Sequence, residues 1–362
     1  MRAKTSAEGG NIGRFGRYYG ELPKQQYQQR IIYKPPFTTR QQVLGMYSEK
    51  DVDLNDVEQY HAKNSSENNL LYGLFQFTRP YTIIGTILSI ASISTLALSS
   101  WTQVSPVILW EVFKAVVPVI FMNIYISGIN QVYDVEIDKV NKPYLPLASG
   151  VMSMKLGTGI VATSLITSFT LGMRYGSPAA MVALLCLCLI GSLYSIELPF
   201  MRWKRSPFLT AVTIIVMRAL SIPLGYFVHM QKYVLGKPIV LSRAIIFTCC
   251  FMFLFSIVVS MAKDIPDVEG DKMHGFTSFS VSLGQERVFW MCVSILMAAY
   301  GGAMAIGVSS SSLLNKIVSV LGHFSLATIL MYRALQVNHL DNFYMFVWKL
   351  FYTEYLLIPF MR

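Results

Sequence analysis

The sequence predicts an all-α membrane protein, and three observations support this. Of 362 residues, 53% are hydrophobic and only 14% are charged, whereas soluble domains carry about 25% charged residues. The mean hydropathy is +0.46. Several charge-free stretches are near or above the roughly 20 apolar residues that cross about 30 Å of hydrocarbon. These stretches lie between Arg79 and Glu111, between Lys155 and Arg174, between Arg174 and Glu197, from Ala244 to Ala262 and from Val288 to Asn315.

Residues 1–65 differ in composition from the remainder of the chain. The first 48 residues hold eight basic residues against only Glu8 and Glu21, and they lack the apolar core of a secretory signal. A basic, acid-poor leader is typical of an organelle transit peptide; a disordered cytosolic tail is the alternative. We therefore expect a leader and polar linker over residues 1–65 and a transmembrane domain over residues 70–362.

From Leu70 onward, the pattern predicts nine membrane-spanning helices. With nine spans, the loops after the second, fourth and sixth helices share one face of the membrane. Those loops carry more Lys and Arg than the opposite loops, as cytosol-side or stroma-side loops do, and they hold almost all acidic residues of the membrane region. The +10 net charge therefore reflects topology in a lipid bilayer, and no nucleic-acid partner is expected. The predicted spans are Tyr81–Ser99, Trp110–Asn130, Leu156–Met173, Pro178–Ile196, Phe208–Val228, Ile239–Ala262, Val288–Val308, Leu313–Tyr332 and Phe343–Phe360.

Two acidic segments continue directly from apolar helices. The first is NQVYDVEID at residues 130–138, and the second is KDIPDVEGD at residues 263–271. In each segment the polar residues recur at helical spacing, so on a helix they share one face. The first face holds Asn130, Asp134 and Asp138, and the second holds Asp264, Asp267 and Asp271.

Stacked carboxylates of this kind predict a Mg²⁺ site. Like charges on one helix face repel one another, and burial at a membrane boundary adds a desolvation cost that a divalent cation removes. Mg²⁺ takes one or two carboxylates together with phosphate oxygens and water, so two facing rows can hold the metal against a diphosphate. The alternative is a pair of solvated acidic loops without a ligand. A transporter with ion-binding carboxylates is a second alternative, but it predicts carboxylates near mid-membrane, whereas these lie at helix ends.

The two segments resemble the paired aspartate motifs of the UbiA superfamily of intramembrane prenyltransferases. The Asn-Gln opening is similar to the plant plastid branch, which includes homogentisate phytyltransferases and flavonoid, coumarin and acylphloroglucinol prenyltransferases. Further similarity lies in FTRPYTIIGTILSI, LYSIELPFMRWKR and FSVSLGQERVFW. The resemblance implies nine transmembrane helices around a central cavity, capped by the loops after helices 2, 4 and 6. It also implies a multi-pass protein of the plastid membrane.

The resemblance further implies roles for individual residues. Mg²⁺ and diphosphate are expected at the metal-binding set, and Lys204 or Arg205 is expected to reach the diphosphate, because phosphate oxygens beyond the metal need donors. Tyr133 and Tyr194 are candidates to stabilise a prenyl cation through their rings. The metal-binding set is Asn130, Asp134, Asp138, Asp267 and Asp271; the catalytic candidates are Asp264 and Tyr194; the cofactor-binding candidates are Lys204, Arg205, Lys263, Arg202 and Tyr133.

The expected reaction transfers a prenyl group from a prenyl diphosphate to a ring carbon of an aromatic phenol, with Mg²⁺ as cofactor. We expect a flavonoid, coumarin or acylphloroglucinol acceptor with a dimethylallyl or geranyl donor; homogentisate with phytyl diphosphate is the alternative. The roles of three charged residues remain open at this point. Lys142 is either a diphosphate ligand or a topology determinant, and Arg218 either faces the cavity or pairs with Glu354. Lys349 is expected to pair with Glu354 or to lie near an interface.

Overall fold

The computed structural model of the chain describes residues 69–336, 338–340 and 342–361. All regular secondary structure within these residues is helical. The predicted leader and linker over residues 1–65 lie outside the described residues, so the division of the chain stays a prediction. In addition to a helical segment at residues 69–77, the helices are α1 Pro80–Leu96, α2 Pro106–Tyr133, α3 Val135–Asn141, α4 Met154–Tyr175, α5 Pro178–Ser195, α6 Pro207–Val234, α7 Arg243–Ala262, α8 Val268–Met273, α9 Phe279–Leu283, α10 Gln285–Val308, α11 Leu313–Ala334 and α12 Phe343–Leu357.

Among the described residues, seven helices are long and apolar enough to cross a membrane: α2, α4, α5, α6, α7, α10 and α11. Two further predicted spans correspond to shorter helices, α1 with 17 residues and α12 with 15. The prediction of an all-helical protein with several apolar spans is therefore confirmed. The count of nine spans and the capping loops stay predictions.

Serine begins most of the spanning helices, which explains where they start. The Ser105 hydroxyl accepts a hydrogen bond from the backbone N–H of Ile108 at the start of α2, and serine caps α4, α5, α6, α7 and α11 in the same way. Such a cap satisfies a backbone donor that the first helical turn leaves free. Proline follows the serine at α2, α5 and α6, where its missing N–H costs nothing.

Small residues allow the helices to approach closely. A Cβ atom added at Gly128 of α2 would lie 2.7 Å from a methyl carbon of Val161 in α4, so the contact between these two helices requires glycine. Small residues serve the same purpose in membrane bundles generally, because lipid offers helices little hydrophobic reason to associate. The centre of the bundle is aromatic: Phe251 and Phe255 of α7 pack against Tyr300 of α10 and Phe351 of α12.

The intramembrane charge Arg218 lies in a π-helical turn of α6, Val216–Ser221. Its guanidinium donates to the Thr86 hydroxyl over 3.1 Å and lies 5.3 Å from the ring centre of Trp348. Among the described residues Arg218 neither pairs with Glu354 nor lines the cavity described below, so both alternatives left open for Arg218 are wrong.

Glu354 has a different partner. His323 Nε2 lies 3.2 Å from Glu354 Oε1, and both side chains are fully buried. Lys349 is exposed and does not pair with Glu354, so that alternative is wrong; a position of Lys349 near an interface stays a prediction. Glu354 faces α11, where His323 offers a ring nitrogen within the packed interior.

Candidate active site

The two aspartate segments share one local construction. Asp134 (φ −107°, ψ 7°) lies between the end of α2 and α3, and Asp267 (φ −96°, ψ 6°) lies immediately before α8. Both residues occupy the sparsely populated bridge region of backbone space, which is common in active sites. A helix boundary therefore interrupts each row, although all members of both rows line one cavity. In the second segment Pro266 contributes to the break, because proline cannot donate to the preceding turn.

Both segments nevertheless reach the same cavity, which has a volume of about 340 Å³. Its walls come from residues that follow α2, α5 and α7 in the sequence and from the starts of α1 and α12. Asp134 and Asp267 therefore face one shared space. Nine residues of the predicted site line it: Asn130, Asp134, Asp138, Tyr194, Lys204, Lys263, Asp264, Asp267 and Asp271.

Asp134 is the centre of the first segment and is almost fully buried. Its Oδ2 accepts hydrogen bonds from the Asn130 amide and the Lys204 ammonium, each over 2.6 Å. Arg202 Nη2 lies 2.8 Å from its Oδ1 as an ion pair. The Asn130 amide oxygen in turn accepts from Arg79 over 3.1 Å. The Asp134 carboxylate thus holds the basic loop after α5 in contact with the end of α2.

Lysines also contact the carboxylates of the second segment. Lys142 forms an ion pair with Asp267 Oδ2 and lines the cavity. Lys263 donates to Asp264 Oδ1 over 2.6 Å and lies 5.8 Å from the ring centre of Tyr194. The other carboxylate oxygen of Asp267 is buried, and none of the described residues forms a hydrogen bond with it.

Burial perturbs the carboxylates of both segments. Desolvation raises the pKa of Asp138 to about 6, against the opposing charges of Arg79 and Lys142. Desolvation also raises the pKa of Asp264, although Lys263 opposes it. The pKa of Asp271 is raised by burial and by repulsion from Asp264 and Asp267. Perturbed carboxylates gathered in one cavity are typical of a functional site.

The donor set fits Mg²⁺ in the presence of a diphosphate. In the part of the chain that the structure describes, no three His, Cys, Asp or Glu side chains are grouped to hold a metal by themselves. Mg²⁺ does not need such a cage, since it usually binds one or two carboxylates together with phosphate oxygens and water. The unpartnered oxygen of Asp267 and the desolvated carboxylates opposite it meet that requirement.

Three residues of the predicted site do not line the cavity. Arg205 is exposed and pairs with Glu197, so Lys204, rather than Arg205, reaches the cavity from this loop. The Tyr133 ring is also exposed, and its backbone carbonyl accepts a hydrogen bond from Arg202. Arg202 is buried behind Asp134 and supports it from outside the cavity.

Sequence reasoning missed several polar residues that line the cavity, and two of them bond to the aspartate segments. Arg79 lines the cavity with its backbone in the left-handed region (φ 48°) at the start of α1. A lone basic residue before the proline of the first charge-free stretch was the available signal. Asn141, at the end of α3, accepts a hydrogen bond from the backbone N–H of Gly270 over 2.9 Å. No local pattern predicts that contact, because 129 positions separate the two residues.

Comparison with known proteins places the chain in a family. The model of the "UbiA prenyltransferase family" matches residues 71–351. The chain belongs to the UbiA prenyltransferase family. Homogentisate phytyltransferase 1 of Arabidopsis thaliana, named chloroplastic, is 47% identical to this UbiA protein over 307 residues, which are 83% of this chain and 78% of the relative. Coumarin 8-geranyltransferase 1 of Citrus limon, also named chloroplastic, is 42% identical over 335 residues, 91% of this chain and 81% of the relative.

A solved structure shows the same fold. A UbiA homologue from Archaeoglobus fulgidus, bound to GPP and Mg²⁺, superposes with a TM-score of 0.53 at 16% identity, over 79% of this chain and 99% of the homologue. The resemblance noted from the two aspartate segments is thus confirmed, and this UbiA protein is an aromatic prenyltransferase. The transporter alternative is not supported. The comparisons do not identify the aromatic acceptor, because the relatives are named for different acceptors.

Proposed function

We propose that this UbiA enzyme transfers a dimethylallyl or geranyl group from its diphosphate to a ring carbon of a neutral phenol of the flavonoid, coumarin or acylphloroglucinol type. The observation that carries the proposal is the pair of aspartate segments facing one cavity at the ends of spanning helices, with lysines between them. A bilayer position suits a donor with a hydrocarbon tail and an anionic head. The chloroplastic names of the relatives support a plastid membrane.

The anionic end of the donor is assigned to the polar half of the cavity. Asn130, Asp134 and Asp138 on one side and Asp267 and Asp271 on the other are proposed to hold Mg²⁺ with the diphosphate, with Asp264 beside them. The chemistry that bound Mg²⁺ supplies is Lewis-acid neutralisation of the charge on the leaving group. Structures of a related UbiA homologue bound to GPP and Mg²⁺ and to DMAPP and Mg²⁺ support this assignment.

The basic side chains are proposed to complete the diphosphate site. Lys204 contacts Asp134 of the first segment and Lys263 contacts the adjacent Asp264 of the second, and Arg79 reaches in from the start of α1. Each can donate to phosphate oxygens that the metal leaves free. Charge drawn onto the diphosphate allows the allylic C–O bond to break, and the electron pair leaves with oxygen.

The aromatic part of the cavity is proposed to shelter the allylic cation and the acceptor. Tyr81, Tyr194 and Tyr344 line it, and ring faces attract cations. Exclusion of water prevents the cation from being trapped as an alcohol. The acceptor ring carbon next to a phenolic hydroxyl then forms the new C–C bond, and loss of the ring proton restores aromaticity.

The charge of the walls favours a neutral acceptor. Five carboxylates and four cationic side chains line the cavity, so an acceptor carboxylate meets no excess of positive charge before the metal and donor bind. Homogentisate, which carries a carboxylate, is the second candidate, with phytyl diphosphate as donor. It is favoured by the 47% identity with the Arabidopsis homogentisate phytyltransferase.

Membranes containing the full chain would be incubated with dimethylallyl, geranyl and phytyl diphosphates against a flavonoid, a coumarin, an acylphloroglucinol and homogentisate. Pyrophosphate release and prenylated product are measured with Mg²⁺ and with excess chelator. We expect product only with Mg²⁺ and with a neutral phenol. Product only with homogentisate would establish the second candidate, and pyrophosphate release that is unaffected by chelation would refute the metal assignment.

A further inference from the structure

Phe276 lies where three basic side chains meet. Its ring centre is 4.9 Å from Lys204 Nζ and 6.0 Å from the guanidinium carbon of both Arg202 and Arg205. These three residues belong to the basic loop between α5 and α6. Phe276 itself is only 6% exposed and lines the cavity.

The backbone of Phe276 is tied to the second aspartate segment. Its N–H donates to the Asp271 carbonyl over 2.8 Å, and Gly275 before it turns the chain with a left-handed backbone (φ 70°). The neighbouring Thr277 hydroxyl donates to the Arg205 carbonyl over 3.4 Å. The ring therefore joins the second aspartate segment to a basic loop whose lysine contacts the first segment.

The ring faces an unfavourable concentration of positive charge. Lys204 and Arg202 share a single carboxylate, Asp134, and both are largely withdrawn from water, with 12% and 4% of their side chains exposed. Arg205 pairs instead with Glu197. An aromatic face carries partial negative charge and attracts a cation within about 6 Å, more strongly when the pair is desolvated. An aliphatic side chain of similar size would fill the space without this attraction.

We propose that Phe276 is a positioning residue that holds Lys204 in place for the diphosphate of the donor through a cation–π contact. The inference rests on the proposed function of the cavity, because it needs Lys204 to bind the donor. Phe276 acts through Lys204 and does not take part in the reaction itself. Because the Phe276 backbone is hydrogen-bonded to the second segment, the position of Lys204 depends on both halves of the site.

The test compares Phe276→Leu, which keeps an apolar side chain, with Phe276→Tyr, which keeps the ring. The affinity for Mg²⁺-pyrophosphate and the KM values for donor and acceptor are measured on the purified full chain. For Phe276→Leu we expect both the dissociation constant of Mg²⁺-pyrophosphate and the donor KM to rise about tenfold, the size expected from a desolvated cation–π contact. The acceptor KM should stay the same, and Phe276→Tyr should resemble the wild type. Phe208→Leu, an exposed phenylalanine of α6 outside the cavity, is the matched control.

A second arm shows whether the effect passes through Lys204. In a Lys204→Met background, Phe276→Leu should weaken donor binding little further, because the effects of substitutions at contacting residues are not additive. Equal loss with and without Lys204, or equal rises in the KM of donor and acceptor, would overturn the proposal in favour of a packing role. Unchanged donor binding in Phe276→Leu would overturn it directly.

The failure of the proposed function is a separate result. It would appear as a wild-type chain that binds no Mg²⁺-pyrophosphate and consumes no prenyl donor. The contact between Phe276 and Lys204 is then tested by thermal unfolding, without ligand, of the wild type, Phe276→Leu, Lys204→Met and the variant with both substitutions. If the two substitutions lower the unfolding temperature non-additively, the contact exists but has only a structural role. If their effects on the unfolding temperature are additive, both the contact and its role at the donor site are refuted.

Discussion

The side-chain oxygen of Asn141 accepts a hydrogen bond from the backbone N–H of Gly270 over 2.9 Å. This bond joins α3, which contains the end of the first aspartate segment, to α8, which contains the end of the second. A Cβ atom added at Gly270 would lie 2.3 Å from that oxygen, so only glycine permits the contact. The spacing between the two carboxylate rows therefore depends on a residue without a side chain.

Gly270→Ala is expected to separate the two segments. The added methyl group overlaps Asn141 and breaks the hydrogen bond, so turnover should fall about tenfold or more and unfolding free energy by about 1–3 kcal/mol. Gly159→Ala is the matched control, because a Cβ there meets nothing within 4 Å and alanine is favoured in a helix. Pyrophosphate release and thermal unfolding in detergent measure both effects. Wild-type turnover in Gly270→Ala would show that the bridge does not set the site.

Asp134→Asn is expected to abolish most of the activity while the protein still folds. The carboxylate is the shared partner of Lys204 and Arg202 and a proposed metal ligand. Removing one preorganised charge of this kind costs about a hundredfold or more in rate. Glu136→Gln, two positions away, is the control, since Glu136 is exposed and pairs with Lys139. Assays at saturating and limiting Mg²⁺ would check the result, and a fully active Asp134→Asn enzyme would refute the metal assignment.

Stability should depend on pH through Asp138. Its pKa is raised by burial from 3.8 to about 6, so between these values the folded protein holds a proton that the unfolded chain has released. Stability from this group is therefore greatest below about pH 4, falls as pH rises to about 6 and stays low above it, a change on the order of 2–3 kcal/mol.

Unfolding measured without Mg²⁺ from pH 4 to pH 7 would test this, with Asp138→Asn as comparison. The difference in unfolding free energy between the two proteins should change between about pH 4 and about pH 6 and be constant from there to pH 7. Because Mg²⁺ competes with the proton, its affinity should rise through about pH 6. A difference that is independent of pH would contradict the assignment to Asp138.

Glu354→Leu should destabilise the bundle without changing the chemistry. The substitution leaves His323 in a fully buried position without its carboxylate partner, and removing one member of a buried pair costs about 3–5 kcal/mol. Turnover per folded molecule is expected to be normal, since neither residue lines the cavity. Lys349→Gln, at an exposed position of the same helix, should leave the unfolding temperature unchanged. Equal unfolding temperatures for Glu354→Leu and the wild type would show that the pair is dispensable.

Residue types and spacing were sufficient to predict that the two aspartate segments meet. Charge-free stretches set the number of crossings between them, and parity then placed Asp134 and Asp267 on one face. Their chemistry, carboxylates beside lysines at a membrane boundary, also suggested the type of ligand. The family comparison confirmed the class of enzyme that this chemistry implied.

Local periodicity was misleading about the shape of each segment. A four-residue spacing is compatible with a continuous helix, but α2 ends at Tyr133, and Asp134 has a bridge conformation at the point where it contacts the loop after α5. Contacts of this kind are distant in sequence. The positions of Arg79 and Phe276 and the partner of Glu354 depend on helix packing, which hydropathy does not encode.

Helix α1 has 17 residues, about 25 Å at 1.5 Å per residue, and the hydrocarbon layer of a typical bilayer is about 30 Å thick. If α1 crosses the bilayer, as the nine-span prediction expects, a helix of this length is accommodated by local thinning of the lipid or by polar side chains at its ends that reach toward the headgroups. Because Arg79 is the residue immediately before α1, we then expect membrane thickness to act on the depth of its guanidinium. We therefore expect the activity to depend on acyl-chain length as well as on the substrates and the proposed metal.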